Sequence, residues 1–204
     1  MKIITTTLSL LLLVSCSSAK PFVASDYATI GIQSHALLPI PNLLQDPDSP
    51  VGGWCGEASI QMGLRYYHKD VSQKEINKAG NPSHPDLYSG DINRALKTLH
   101  MKYIEWNDNN QNLPQYVSWI KTNISKGYPV FCGMKINPTR HPEWSLDHFA
   151  LAVGYNDKGL FINTNHDDGQ LLITYEQLAS TTNHYSFENR YHYYFGRALT
   201  GFEQ

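Results

Sequence analysis

The stretch Gly53-Trp54-Cys55-Gly56-Glu57-Ala58-Ser59-Ile60-Gln61-Met62-Gly63-Leu64-Arg65-Tyr66-Tyr67 sets a cysteine between a glycine turn and an amphipathic run. Gly52-Gly53 reads as the turn. Glu57 to Tyr67 reads as a helix with Ile60, Leu64 and Tyr67 on one face and Ala58 and Met62 adjoining it. Cys55 thus stands just ahead of a helix, where unpaired backbone N–H groups and the helix dipole favour a thiolate. The thiolate is the nucleophilic form, and helix N-termini depress cysteine below its free value of about 8.5. Without a basic partner, however, Cys55 would be no more than a small residue at a tight turn.

The partner is offered downstream. Leu146-Asp147-His148-Phe149-Ala150-Leu151-Ala152-Val153-Gly154-Tyr155 sets one histidine at the head of an apolar strand. The turn Asn156-Asp157-Lys158-Gly159 joins it to Leu160-Phe161-Ile162-Asn163-Thr164-Asn165. In such a hairpin the end of the second strand returns to the level of the first strand's start. An asparagine, Asn163 or Asn165, is thereby brought beside His148. A Cys–His pair oriented by an amide is the nucleophile–base–orienter arrangement of acyl transfer. Taken alone, His148 would read as a satisfied core histidine at a strand entrance.

The rest of the chain supplies the frame. Residues 20–50, punctuated by Pro39, Pro41, Pro47 and Pro50, read as an extended lead-in packed over the body. Further helices are expected at Val71–Ala79, Asp91–Leu99, Leu113–Ser125 and Tyr175–Ala179. Strands are expected at Lys102–Trp106, Val130–Ile136, His148–Tyr155, Leu160–Asn165, Gln170–Thr174 and Tyr191–Leu199. Helices first and antiparallel strands afterwards describe an α+β domain, with residues 51–204 as one unit.

These segments resemble a known family. Gly53 to Tyr67 is similar to the nucleophile helix, CG-x-A-S-x-x-M-x-L-x-Y-Y, of peptidases related to the bacteriocin-processing (double-glycine) cysteine peptidases. Gly127-Tyr128-Pro129-Val130 resembles that family's G-x-P-V strand entry. His148 through Asp157 resembles its H-x-V-x-V-x-G-Y-D-D strand. The resemblance implies a papain-like cysteine peptidase fold, its helical N-terminal half packed on an antiparallel sheet. It implies a Cys55–His148–Asn165 triad acting through an acyl-enzyme. The family's third residue is usually Asp; that position falls on Asn165, with Asn163 and Thr164 as alternatives. The resemblance also calls for an oxyanion glutamine upstream of the cysteine. The nearest is Gln45, ten residues back, which reads equally as an exposed loop residue.

Composition narrows the partners. The chain has 204 residues, a net charge of −2, and 17% charged residues without basic runs. Nucleic acid is therefore not expected as a partner; the resemblance implies a peptide or protein substrate, and a monomer is expected. Lys2, the apolar run Leu8–Val14 and the small residues Ser15–Ala19 form an export signal over residues 1–19. Leu13-Val14-Ser15-Cys16 also resembles a lipobox (signal 1–15), which would tether the chain to a membrane through lipidated Cys16. Of three cysteines, Cys55 and Cys132 remain after export, and Cys132 sits in what reads as a buried strand. The spacing of His141, His148, His166, Asp167 and Asp168 matches no ligand motif, so neither metal nor other cofactor is called for. Acyl or peptidyl transfer by the same residues, and a non-catalytic binding protein of the same fold, are the rival functions.

Overall fold

A computed structural model describes residues 33–135, 146–180, 187 and 193–202. The export segment 1–19 with Cys16, the lead-in before residue 33, and His141 lie outside the described residues. The described elements are β1 (Ala36–Leu37), α1 (Cys55–Tyr66), α2 (Gln73–Gly80), α3 (Ser89–Thr98), β2 (Met101–Glu105) and α4 (Leu113–Ser125). β3 (Val130–Lys135), β4 (Asp147–Tyr155), β5 (Gly159–Asn163), β6 (Gln170–Thr174), α5 (Tyr175–Ser180) and β7 (Phe195–Phe202) follow.

Local chemistry sets the helix boundaries. Ser72 caps α2 in a capping box with Glu75, and Asn112 accepts the N–H of Gln115 to start α4. The strands form one antiparallel sheet in the order β2-β7-β3-β4-β5-β6, with β1 added against the end of β4. The last strand starts later than the sequence suggests, at Phe195, and runs to Phe202 because it pairs with all of β2.

The sheet is covered on both faces, which makes its central strands almost wholly apolar. Phe131, Phe149, Leu151 and Val153 point to one side, against Ile60 and Leu64 of α1, Ile76 of α2 and Ile92 and Leu96 of α3. Val130, Cys132, Ala150 and Ala152 point to the other, against Tyr116, Val117 and Ile120 of α4. The architecture is α+β, as the order of elements indicates. Cys132 is free and buried on the α4 side, whereas Cys55 is free and belongs to the α1 side. The sheet separates the two sulfurs. Among the described residues no helix is long and apolar enough to cross a membrane.

From Ala36 onward the lead-in is joined to the body by backbone and side-chain hydrogen bonds. The Leu38 N–H donates to the Val153 carbonyl at 2.8 Å, continuing the β1–β4 pairing. Further on, the Asp46 N–H donates to Gln73 Oε1 of α2, also at 2.8 Å. This path carries Gln45 to the start of α1.

Candidate active site

Cys55 is the first residue of α1, and the N-terminus of that helix abuts the start of β4. The Phe149 N–H donates to the Cys55 Sγ at 3.4 Å, so the sulfur lies against the backbone of the residue that follows His148. Cys55 and His148 line one cavity of about 290 Å³, together with Asp86, Leu87, Phe149 and Phe187.

The His148 ring is buried, with Nε2 2.7 Å from the Thr164 carbonyl oxygen. A carbonyl only accepts, so Nε2 carries the proton and Nδ1 is the basic nitrogen. Burial pushes the imidazole down to about 4, the Thr164 carbonyl opposing this and His166 adding to it. At neutral pH the ring is therefore an uncharged base.

The thiol also departs from expectation. Burial pushes Cys55 up to about 12; the Phe149 and Gly56 N–H groups pull it down, while Glu57 and Asp86 push it further up. The helix N-terminus does not produce a resting thiolate, because loss of hydration outweighs its N–H groups. The resting pair is neutral thiol and neutral imidazole.

Asn165 reaches the site, but the partner of the His148 ring is the backbone oxygen of its neighbour Thr164. The Asn165 Nδ2 donates to the Phe149 carbonyl at 2.7 Å, Ser59 Oγ at 2.9 Å and the Cys55 carbonyl at 3.2 Å. Its Oδ1 accepts from Gln45 Nε2 at 2.9 Å, and its N–H donates to Asn42 Oδ1 at 2.8 Å. Asn165 thus fastens α1 to β4. It holds a positive φ of 51°, which asparagine tolerates better than most residues. Asn163 is directed elsewhere, donating to the Ile40 carbonyl and accepting from Gln170.

Gln45 is drawn in despite its distance in sequence. Its Oε1 accepts the Trp54 N–H at 2.7 Å, which holds the turn before Cys55, while Nε2 donates to Asn165. A Cβ on Gly53 would come within 2.2 Å of that Oε1, and φ there is +78°, so only glycine lets Gln45 in. The Cys55 backbone N–H belongs to the first turn of α1, whose donors lack intrahelical acceptors.

Two participants escaped the sequence reading: Glu57 and Ser59, buried on α1 beside the cysteine. An acid and a hydroxyl on the buried run of α1 were the available signal for these two. Thr164, an alternative for the third position, acts through its backbone oxygen. A main-chain carbonyl leaves none. Among the described residues no group of three His, Cys, Asp or Glu side chains converges as metal ligands do.

An α+β body that brings a helix-terminal thiol and a buried neutral imidazole into one cavity defines a protein of the papain-like class in architecture. The chain belongs to the Peptidase_C39 like family, whose profile matches residues 37–198. In fold it is similar to a protein from Bacillus anthracis described as a C39-like peptidase: TM-score 0.58, 15% identity, covering 84% of this chain and 100% of that one. It is also similar to a double glycine motif protease from an AMS/PCAT transporter, solved in complex with the leader peptide. That match has TM-score 0.48 and 18% identity, covering 81% of this chain and 95% of the other. No curated protein matches.

Proposed function

We propose that the protein is a thiol-dependent peptidase that cleaves peptide bonds through an acyl-enzyme, with Cys55 as nucleophile and His148 as base. The observation carrying this reading is the cavity shared by Cys55 and His148, with the sulfur held by the Phe149 N–H. In the proposed reaction the Cys55 thiol passes its proton to His148 Nδ1 as sulfur attacks the substrate carbonyl carbon. Because both groups rest neutral, charge separates only during attack. The carbonyl oxygen becomes an oxyanion, stabilised by the Cys55 N–H and by the Gln45 Nε2 hydrogen not given to Asn165. The protonated imidazole then delivers its proton to the departing amine as the C–N bond breaks. A thioester remains. Water, deprotonated by His148, hydrolyses it and frees the thiol. The N-terminal pattern of Lys2, an apolar run and small residues supports action after export.

The raised thiol and lowered imidazole are what favours the rival, a non-catalytic protein of the same fold. Labelling decides between the two. The full chain is expected to take up a peptidyl epoxide at Cys55, located by mass spectrometry, and to cleave peptides; Cys55→Ala does neither. Undiminished cleavage by Cys55→Ala, or an unlabelled wild type, overturns the reading.

A further inference from the structure

Glu57 lies two residues beyond Cys55, in the first turn of α1, with no exposed surface. Its Oε1 accepts from Asn77 Nδ2 and from the Leu87 N–H, each at 2.9 Å. Its Oε2 is enclosed without a hydrogen-bond partner. An ionised carboxylate here would bury a full charge with one oxygen orphaned, whereas the acid form buries only a hydroxyl.

The geometry assigns Glu57 a positioning role: as an uncharged carboxylic acid it ties the cavity's loop wall to the nucleophile helix and keeps negative charge away from Cys55. The inference rests on Cys55 being the nucleophile. Asp86, Leu87, Tyr88 and Ser89 form that wall. Three ties hold it from below: Glu57 on the Leu87 N–H, and the Trp54 indole and Asn77 amide on the Pro85 carbonyl, at 2.9 and 3.4 Å. The same Asn77 amide links Glu57 to α2, so one neutral carboxyl joins helix, helix and loop.

Burial pushes the Glu57 carboxyl up to about 7, so the acid form prevails below neutrality and charge appears above it. The titratable groups around it are Cys55 on its own helix and Asp86 on the loop. α2 presents the neutral Asn77, and β4 carries His148, itself uncharged near neutrality. Asp91 of α3 is engaged by His84 and the Tyr88 N–H. Once charged, Glu57 opposes loss of the Cys55 proton.

Iodoacetamide alkylation of Cys55, followed by mass spectrometry on the full chain from about pH 5 to about pH 9, tests this against Glu57→Gln. The rates should agree at the acid end, where both side chains are neutral. Above about pH 8 the variant should react about tenfold faster, the effect of removing one nearby like charge. A variant-to-wild-type ratio that stays flat across the range overturns the inference. Should the variant not fold, the wild-type infrared band of a protonated buried carboxyl, present near pH 6 and lost by about pH 9, supports it; absence near pH 6 overturns it. Alkylation reads the thiol rather than turnover, so this outcome is independent of whether peptides are cleaved.

Discussion

His148 shows how much one hydrogen bond settles. The Thr164 carbonyl fixes the proton on Nε2 and leaves Nδ1 as the base, so a free imidazole's ambiguity of tautomer is removed. Burial holds the ring neutral down to about pH 4. The acid limb of kcat/KM should therefore fall at about 4, and a limb near 6.5, the value of an unburied histidine, would contradict the assignment. At Gln45, alanine removes a proposed oxyanion donor, and kcat is expected to drop by roughly 10²-fold with KM little changed. Steady-state kinetics on a peptide substrate measures the drop, and titration of reactive Cys55 with the peptidyl epoxide separates it from a folding defect, which would lower the number of titratable sites in proportion to kcat.

At the scale of elements, the start of α1 is docked to β4 through the Asn165 amide. Two of the three acceptors around its Nδ2 are main-chain carbonyls, of Cys55 and Phe149, which have no proton to give. Asp at this position would aim an oxygen at both. An aspartate here is thus incompatible with this arrangement, because the side chain serves as a donor to backbone rather than as an acceptor for the imidazole. Asn165→Asp should cost about 3 kcal/mol or more, at least as much as Asn165→Ala, since it adds a buried charge to the lost hydrogen bonds. Urea melts of the two variants check the order. The turn side of the same hairpin is equally determined. Asn156 Oδ1 accepts the Lys158 and Gly159 N–H groups, and a Cβ on Gly159 would lie 2.1 Å from the Ile173 carbonyl oxygen.

For the whole molecule, two buried groups set opposing dependences of stability on pH. Glu57 rises from 4.5 to about 7 on folding, so its contribution is complete below 4.5 and is lost as pH climbs toward 7. His148 falls from 6.5 to about 4, so its contribution is complete above 6.5 and is lost as pH drops toward 4. Between 4.5 and 6.5 the unfolded chain gains a proton at the histidine and loses one at the glutamate, and the two slopes cancel. Glu57→Gln removes only the first. Relative to wild type, the variant should gain stability as pH rises through this window, by up to about 3 kcal/mol at pH 7.5 against pH 4.5. Denaturant midpoints at those two values measure it, and an unchanged difference would refute the assignment.

The sequence by itself marked every described element except β1, their order, and two residues 93 positions apart that line one cavity, Cys55 and His148. Periodicity marks α1 and α4, and the Asn156–Gly159 turn aligns β4 with β5. These are local signals, written in neighbouring side chains. What only the tertiary structure decided is which atoms complete the site. Gln45 reaches it because β1 pins the lead-in against β4. The ring of His148 is held by a Thr164 carbonyl, an atom every residue type possesses and no sequence pattern marks. The thiol and Glu57 are both pushed toward their uncharged forms because water is excluded from the start of α1, and exclusion of water is a property of the packed layers, not of any segment.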